Sequence, residues 1–394
     1  MQNDAMDNNL EKLFMLAAQR TEKLENAALE INLEDPVKKL SQSLHPEELL
    51  LKITAINDET DKVRTYRLAG ADRNIPLPFF RAGQYLSLKV EVGETAITRP
   101  YSISSEPDHP DDCYEITVRW KEDGLLTDHI LRKWEVGTLV KATGPHGNFY
   151  YEPLRDKNMV VAIAGGSGIT PFRSLIRATI KERSSLKILL LYGSRREEEI
   201  IFKEELESLA EKNPGLLTVV HIISEGSDLW QGKRGFIDQK LIEEMVEEPN
   251  NSSYFICGPR EMLDFCRKEL NILGIPESQI RSELSGTPGD VNREEDYPKQ
   301  VSGKVFSISY SYRCREGVIQ AKASETVLTA LERAGLDPDS QCRSGECGFC
   351  RSLLLEGEVY ILKDGDGRRA ADRKYGYFHP CSSYPLSDLR LIIT

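Results

Sequence analysis

The sequence predicts a multi-domain protein of mixed α+β and α/β class, on the strength of three observations. Its 394 residues exceed what one ordinary hydrophobic core accommodates, so two or three domains are expected. Short β-rich runs give way along the chain to alternating strands and helices, and a cysteine-rich segment follows. The predicted domains are, in chain order, a short helical N-terminal extension (residues 1–47), an antiparallel β-barrel (48–153), a doubly wound parallel α/β domain (154–286), a linker (287–303) and a small C-terminal domain (304–394).

Composition and charge exclude several classes of function. The formal net charge of -12, without a segregated basic patch, argues against binding to nucleic acid or to an anionic membrane surface. No stretch approaches the roughly 20 apolar residues that span a bilayer, and the first thirty residues hold no apolar signal-peptide region. We therefore expect a cytoplasmic protein, in which structural disulfides are rare.

The N-terminal extension is charged and has apolar residues at helical spacing, as in NNLEKLFMLAAQR. The pattern ends at His45-Pro46, because proline cannot continue a helix. Two interpretations stay open: amphipathic helices that pack on a partner or on the barrel, and a solvated extension.

The barrel and the α/β domain are predicted from two different sequence patterns. The runs LLLKITAI, VRTYRLAG, YLSLKVEV, CYEITVRW and LVKATGP are short, β-rich and separated by turn residues. From MVVAIAGG onward, apolar strands alternate with amphipathic segments such as PFRSLIRATIKE and IIFKEELESLAEK, which is typical of a parallel sheet covered by helices. In the C-terminal domain a hairpin turning near Arg315-Glu316-Gly317 and a helix, TVLTALERAGL, precede the cysteines.

The cysteine-rich segment has the spacing of an iron–sulfur site. Cys342, Cys347 and Cys350 follow the pattern C-x4-C-x2-C, and Cys381 comes after thirty intervening residues, which fits the plant-type pattern for a 2Fe-2S cluster. Each iron takes two soft thiolate ligands, and glycines between the cysteines let the backbone wrap closely. A four-cysteine zinc site is the alternative, although zinc ribbons usually pair two C-x-x-C knuckles. The last ninety residues resemble the β-grasp ferredoxin family.

The barrel contains a segment that resembles the flavin signature R-x-Y-[ST] of the ferredoxin-NADP reductase superfamily. The segment is Arg99-Pro100-Tyr101-Ser102. The resemblance implies that Arg99 pairs with the flavin pyrophosphate, Tyr101 lies against the isoalloxazine ring and the Ser102 hydroxyl reaches flavin N5. Gly124-Leu125-Leu126-Thr127 is similar to the family's phosphate-holding G-x-x-[ST] stretch at a helix start.

The α/β domain carries two further motifs of the same superfamily. Gly165, Gly166, Gly168, Thr170 and Pro171 lie in AGGSGITP, which follows a strand, opens a helix and resembles the superfamily's pyrophosphate loop. The motif Cys257-Gly258-Pro259 matches the family element that places a thiol near the nicotinamide.

The resemblance also implies a constellation for hydride transfer. Glu283 corresponds to a family acidic residue that completes a Ser102–Cys257–Glu283 group; a solvated loop carboxylate is its plainer interpretation. Many relatives have an aromatic residue nearby, whereas this chain has Ser285.

The choice between NADH and NADPH depends on two segments. Tyr192, Ser194 and Arg195 follow the second strand of the α/β domain, where an arginine could meet a 2′-phosphate or could equally pair in solvent with a carboxylate of 197–199. After the third strand, however, NADPH-specific relatives often have Ser-Arg, and this chain has Ser224-Glu225, so we expect NADH.

Taken together, the motifs resemble the flavin reductases that feed oxygenases, such as phenylacetyl-CoA oxygenase reductases, and also hybrid-cluster-protein reductases. The resemblance implies hydride transfer from NAD(P)H to flavin, FAD by family preference over FMN, and then single-electron transfer through a 2Fe-2S cluster to a partner redox protein. Two alternatives stay open: a direct reductase of small acceptors such as quinones or ferric chelates, and a non-catalytic redox sensor or assembly subunit.

Overall fold

The computed structural model describes residues 15–23, 37, 40, 41, 44, 46–93, 95–109, 111–122, 124–226, 229–284, 290–363 and 366–394. The chain forms two compact units, Met1–Leu44 and His45–Thr394. In the first unit, the described residues are helical and exposed. Leu10, Leu13 and Phe14 of the predicted apolar stripe lie outside the described residues. Within the described part of the chain, no helix is long and apolar enough to cross a membrane.

The second unit begins with a six-stranded antiparallel sheet in the order β4-β3-β6-β1-β2-β5. Ile103, directly after β4, bridges to Ile116 of β5, so the two edge strands meet and the sheet closes into a barrel. The inward-facing residues are aliphatic and aromatic, as alternation along each strand requires. The elements are β1 (Leu49–Thr60), β2 (Val63–Gly70), β3 (Tyr85–Val92), β4 (Thr95–Ser102), β5 (Cys113–Arg119), α1 (Leu125–Lys133) and β6 (Leu139–His146).

The middle domain is a parallel sheet in the order β10-β9-β8-β7-β11-β12. Alternate residues of β7 face opposite cores: Val160 and Ala162 pack with helices α2 and α3, whereas Val161 and Ile163 pack with α4 and α5. The elements are β7 (Met159–Gly165), α2 (Thr170–Lys181), β8 (Lys187–Ser194), α3 (Lys203–Lys212), β9 (Leu217–Ile223), β10 (Lys233–Arg234), α4 (Gln239–Met245), β11 (Ser253–Gly258), α5 (Arg260–Ile272) and β12 (Ile280–Leu284).

The sheet order runs outward from β7 to β10 on one side and from β11 to β12 on the other, so the strand order reverses between β7 and β11. In doubly wound sheets, ligands bind at the carboxyl ends of the strands at this switch point. The predicted glycine loop follows β7 and the Cys257-Gly258-Pro259 motif ends β11, so both motifs meet there.

The C-terminal domain has a five-stranded sheet in the order β14-β13-β19-β15-β17 and a small β16–β18 pair. The β13–β14 hairpin turns at Arg313 and Cys314, two residues earlier than predicted, and both have positive φ (47° and 62°). The elements are β13 (Val305–Tyr312), β14 (Arg315–Lys322), α6 (Val327–Arg333), β15 (Ser352–Glu356), β16 (Val359–Ile361), α7 (Ala370–Lys374), β17 (Tyr377–Phe378), β18 (Ser383–Pro385) and β19 (Leu389–Ile393). The predicted fold class is therefore confirmed.

Residues 290–303, in the segment predicted as a linker, are packed rather than extended. Val291, Tyr297 and Val301 are buried in a cluster with Tyr360 and Tyr384 of the C-terminal domain. On its other side, Glu294 forms an ion pair of 3.3 Å with Arg260 of α5. The segment thus joins the middle and C-terminal domains by contacts on both of its sides.

Candidate functional site

The four predicted cluster cysteines form one group of thiols. Cys342, Cys347 and Cys350 lie on the loop between α6 and β15, and Cys381 lies in a short 3-10 helix, Pro380–Ser382. The Cys342 thiol lies near those of Cys347 and Cys381, and the Cys350 thiol near that of Cys381. Four soft donors gathered in one place fit the ligand set that a 2Fe-2S cluster requires.

Backbone N–H groups of the same loop point at the sulfurs. The N–H groups of Ser344 and Cys347 donate to the Cys342 Sγ, and that of Phe349 donates to the Cys347 Sγ, each at 3.4 Å. Such N–H groups stabilise negative charge on thiolates, so the loop suits a centre that gains an electron.

Glycines and a buried histidine shape this loop. Gly345 and Gly348 have φ of +83° and +70°, which disfavours any other residue. His379 is buried and its Nδ1 lies 2.5 Å from the Gly345 carbonyl oxygen, while a Cβ at Gly348 would lie 3.2 Å from the His379 Nε2. The sequence spacing did not indicate that His379 would support the loop.

The predicted flavin segment forms the second half of strand β4, beside β3. Arg99 lies near two charged residues of the C-terminal domain, and its Nη1 is 3.6 Å from the Glu332 Oε2. Burial, and then the nearby Arg343 guanidinium, lowers the pKa of Arg99 to about 10. Tyr101 is paired with Leu86, and burial raises its pKa.

The predicted phosphate-holding stretch opens helix α1. Gly124 is its N-cap, Leu125 is exposed and Leu126 packs in the barrel core. The Thr127 hydroxyl donates to the Gly124 carbonyl oxygen at 3.0 Å and accepts from the Lys121 N–H at 3.2 Å. Thr127 therefore fixes the turn that begins the helix.

The glycine loop and the C-G-P motif are in direct contact. A Cβ at Gly168 would lie 2.1 Å from the Cys257 carbonyl oxygen, so only glycine permits this approach. A Cβ at Gly258 would lie 3.3 Å from the Gly165 backbone. Gly166 has φ of +53° and begins a four-residue 3-10 helix, Gly166–Ile169, so the buried Thr170 and Pro171 become the first residues of α2.

An arginine that the sequence interpretation missed lies beside this loop. Arg119, the last residue of β5, places its Nη1 2.8 Å from where a Gly166 Cβ would be, and it pairs with Glu199. Its partly exposed guanidinium is suited to an anionic phosphate near the loop. The sequence offers only a strand-ending arginine as a signal, because the contact depends on how two domains meet.

Cys257 and Glu283 are neighbours across the β11–β12 pairing. Burial raises the pKa of the Cys257 thiol well above its usual value. Burial, and then the charges of Glu346 and Cys342, raises the pKa of Glu283 to about 8. Its Oε2 has no hydrogen-bond partner among the described residues.

Ser102, the third member of the predicted hydride-transfer group, is paired with Tyr85. The charges of Glu283, Cys342 and Cys347 all contribute to the raised pKa of Tyr85, after burial. Ser102 therefore lies on a strand whose partner residue is close to both the carboxylate and the cluster cysteines. Ser285 lies outside the described residues.

The segment predicted to lie near the adenosine ribose of the dinucleotide contains both buried and exposed residues. Tyr192 is buried, and its hydroxyl donates to the Gly166 carbonyl oxygen at 3.0 Å, so it supports the glycine loop from within the core. Ser194 lies beside that hydroxyl, and Arg195 is exposed and accepts at its carbonyl from the Glu225 N–H at 2.8 Å. Arg196 forms an ion pair of 3.5 Å with Glu225.

Comparison with known proteins assigns three domains to the chain. Residues 49–151 match the oxidoreductase FAD-binding domain, residues 162–268 the oxidoreductase NAD-binding domain and residues 312–386 the 2Fe-2S iron–sulfur cluster binding domain. The last match favours the iron–sulfur interpretation of the cysteine loop over zinc.

Similar proteins include two reductase chains that the match covers almost entirely. The glycine betaine monooxygenase reductase subunit of Chromohalobacter salexigens is 29% identical over 354 residues, which cover 86% of this chain and 94% of that one. The ferredoxin reductase component of the 3-ketosteroid-9-alpha-monooxygenase of Rhodococcus rhodochrous is 27% identical over 345 residues, 86% of this chain and 95% of that one.

A solved structure, phthalate dioxygenase reductase, shares the fold with a TM-score of 0.63 at 23% identity, over 88% of this chain and 98% of that one. The chain therefore carries an FAD-binding domain, an NAD-binding domain and a 2Fe-2S cluster binding domain, and along most of its length it is similar to reductase components of oxygenases.

Proposed function

We propose that this chain is an NAD(P)H-dependent flavin and iron–sulfur reductase that passes single electrons to a partner redox protein such as an oxygenase. The observation that carries the proposal is the junction of the three predicted sites within one compact unit. The glycine loop contacts the C-G-P motif, and Arg343 of the cysteine loop donates to the Thr98 carbonyl oxygen of strand β4 at 3.1 Å.

The residues of the middle domain bind and orient the dinucleotide. Gly165 and Gly168 let the loop pack closely against α5 and β11, and Gly166 places the loop beside the positive charge of Arg119, where the pyrophosphate is proposed to bind. Cys257, whose thiol is buried and neutral, is near the end of β11, at the place where the nicotinamide ring is proposed to lie. Glu283 holds a proton near neutral pH, because its pKa is about 8, and so adds little negative charge beside the reacting ring.

The barrel and the cysteine loop position the other two groups. Arg99 and the Gly124–Thr127 turn hold flavin phosphates, while Tyr101 and Ser102 lie along its ring. The four cysteines hold the cluster. When bound, the flavin accepts a hydride from NAD(P)H and the 2Fe-2S centre carries single electrons onward.

The relatives support an oxygenase as the partner, because similar chains are named as reductase components of monooxygenases. NADH is the proposed donor, since Glu225 pairs with Arg196 at the end of β9 and puts a carboxylate where a 2′-phosphate would be repelled. A cytoplasmic location completes the proposal, supported by the reducing conditions that keep cluster thiols available.

The test separates this function from its two alternatives. Purified protein, loaded with flavin and cluster, should oxidise NADH rapidly with ferricyanide or cytochrome c and slowly with oxygen. A Cys381→Ser variant, which removes one cluster ligand, should keep ferricyanide reduction at the flavin and lose most cytochrome c reduction. No NAD(P)H oxidation with any acceptor would favour the sensor, and full cytochrome c reduction by the variant would favour the direct reductase.

A further inference from the structure

A buried ion pair lies directly behind the cysteine loop (Gln341–Cys350). Glu332 is near the end of α6 and Arg343 follows the cluster ligand Cys342. The two guanidinium nitrogens of Arg343 contact the two carboxylate oxygens of Glu332 at 2.5 and 2.9 Å. Both side chains are nearly fully buried, with 4% and 6% of their surfaces exposed. Arg343 also has a φ of +57°, so the loop backbone is bent sharply at this residue.

The same pair reaches across to the barrel. Arg343 Nη1 donates to the Thr98 carbonyl oxygen at 3.1 Å, over a sequence separation of 245 residues. The next barrel residue, Arg99, approaches the Glu332 Oε2 to 3.6 Å. One carboxylate is therefore shared by a guanidinium of the cysteine loop and by the guanidinium predicted to hold the flavin pyrophosphate.

Three charged side chains meet at this place, two guanidinium groups and one carboxylate. Arg343 also faces the Cys350 thiol of the cysteine loop, so Arg99 is the guanidinium that shares the Glu332 carboxylate with a better-paired neighbour. The pKa of Arg99 is lowered because burial and the neighbouring Arg343 both disfavour its charged form. A phosphate bound to Arg99 would give this guanidinium an anionic partner of its own.

We propose that Glu332 couples occupation of the flavin-phosphate site to seating of the cysteine loop on strand β4. This inference rests on the proposed function. When a phosphate binds Arg99, Glu332 no longer pairs with Arg99 and pairs with Arg343 alone. Arg343 then holds the cysteine loop against the Thr98 carbonyl oxygen. Without Arg343, the carboxylate turns to Arg99 and competes with the phosphate. Glu332 and Arg343 are thus positioning residues that touch neither cofactor.

Two single variants should move flavin affinity in opposite directions. Arg343→Gln should weaken FAD binding about tenfold, whereas Glu332→Gln, which frees Arg99, should tighten it by a similar factor. Both variants should slow electron transfer from flavin to cluster about tenfold, because the cysteine loop is no longer held against strand β4 by the Glu332–Arg343 pair. FAD release from the full-length holoprotein on dilution, followed by flavin fluorescence, measures the first effect, and stopped-flow absorbance of the cluster after NADH addition measures the second.

Two matched controls lie close by. Asp337→Asn breaks the Lys89–Asp337 pair, which joins the same two domains at a partly exposed site. Glu325→Gln breaks the pair between Glu325 and Arg333, which lies next to Glu332 in sequence. Both controls should leave FAD release and cluster reduction within about twofold of the unmodified protein, because no ion pair joins either of them to Arg99, Glu332 or Arg343 in the described structure.

The double variant Glu332→Leu/Arg343→Met guards against misfolding, because it removes both buried charges together. It should bind FAD at least as tightly as the unmodified protein and still reduce its cluster slowly. Weaker FAD binding in both single variants would overturn the coupling and indicate general damage, and unchanged binding in both would overturn it as well. Ferricyanide reduction by the unmodified protein tests the proposed function separately, so a failure there is distinguishable from a failure of the coupling.

Discussion

At the scale of single residues, Glu225 is the side chain that most directly bears on the choice of nucleotide. It follows β9, its N–H donates to the Arg195 carbonyl oxygen and its carboxylate pairs with Arg196. The nearest flexible cation is therefore already neutralised. In the proposed binding mode, a nucleotide with a 2′-phosphate would have to displace this pair, whereas a ribose hydroxyl could donate to the carboxylate.

We predict that Glu225→Ser will lower the ratio of kcat/KM with NADH to kcat/KM with NADPH. The change removes the repelling carboxylate and frees Arg196, so kcat/KM with NADPH should rise about tenfold or more while kcat/KM with NADH falls. Steady-state ferricyanide reduction with each nucleotide measures both values. Glu198→Gln, a nearby exposed carboxylate for which no such pairing is described, is the control. A variant with the same NADPH-to-NADH ratio as the unmodified protein would contradict this role for Glu225.

Local motifs were predictable from the sequence to the extent that spacing alone defines them. The short spacing of Cys342, Cys347 and Cys350 places them on one loop, and Gly168 meets Cys257 because their motifs follow the neighbouring strands β7 and β11. Arg119 and Glu332 were not predictable, since their partners come from other domains. Such contacts depend on how finished domains meet, which no local pattern encodes. The assigned roles of the site residues stay predictions.

At the scale of elements, the departures from prediction have local causes. The sequence pattern predicts helix α3 from Ile200, but the helix begins at Lys203, because Phe202 has a left-handed φ of 61° and turns the preceding residues into the core. The pattern does not predict strand β4, since Thr95–Ser102 includes a proline, which a strand tolerates at an edge. Strand β4 is the first strand in the sheet order, so its proline lies on an edge strand.

Helix α3 also covers a histidine that sets a pH limit on stability. His221 of β9 lies near Lys203 and Glu207 of this helix, and neither of its ring nitrogens has a hydrogen-bond partner among the described residues. Burial, and then the charge of Lys203, lowers the pKa of His221 to about 4, while Glu197 opposes the shift. The folded protein therefore keeps this imidazole neutral in mildly acidic solution.

We predict that the free energy of unfolding will fall between pH 6.5 and about 4. In that window the unfolded chain binds a proton at His221 that the folded chain does not, so unfolding is favoured as the pH drops. Thermal melting from pH 7.5 to 4.5 should show a shallower loss of Tm in His221→Leu than in the unmodified protein. Equal slopes for both proteins would show that other groups control acid stability; melting at pH 7.5 controls for the loss of packing.

At the scale of the whole molecule, the barrel and the middle domain meet at a buried charge network. Arg173 of α2 donates to Glu115 of β5 at 2.7 Å and to the Ser104 carbonyl oxygen at 3.1 Å. It also contacts Glu205 of α3 at 2.9 Å. The side chains of Arg173 and Glu115 are 8% and 4% exposed, so each charge depends on its partner.

We predict that Glu115→Gln will destabilise the protein by about 1.5–3 kcal/mol, because it replaces the more buried of the two carboxylates that Arg173 contacts and leaves only Glu205 as its charged partner. Asp128→Asn, which breaks the exposed Asp128–Arg132 pair in α1, should cost only about 0.3–0.5 kcal/mol. Urea unfolding followed by flavin fluorescence and far-UV circular dichroism gives both values. A similar cost for the two variants would mean that the domain boundary adds nothing to global stability.

The packed segment of residues 290–303 has a kinetic consequence. Its burial against Tyr360 and Tyr384 and its ion pair to Arg260 hold the cysteine-bearing domain beside the other two, instead of leaving it on a tether. Electron transfer between the domains then needs no diffusive docking step, so its rate should be insensitive to solvent viscosity. Only the arrival of nucleotide and the encounter with the external acceptor should respond to viscosity.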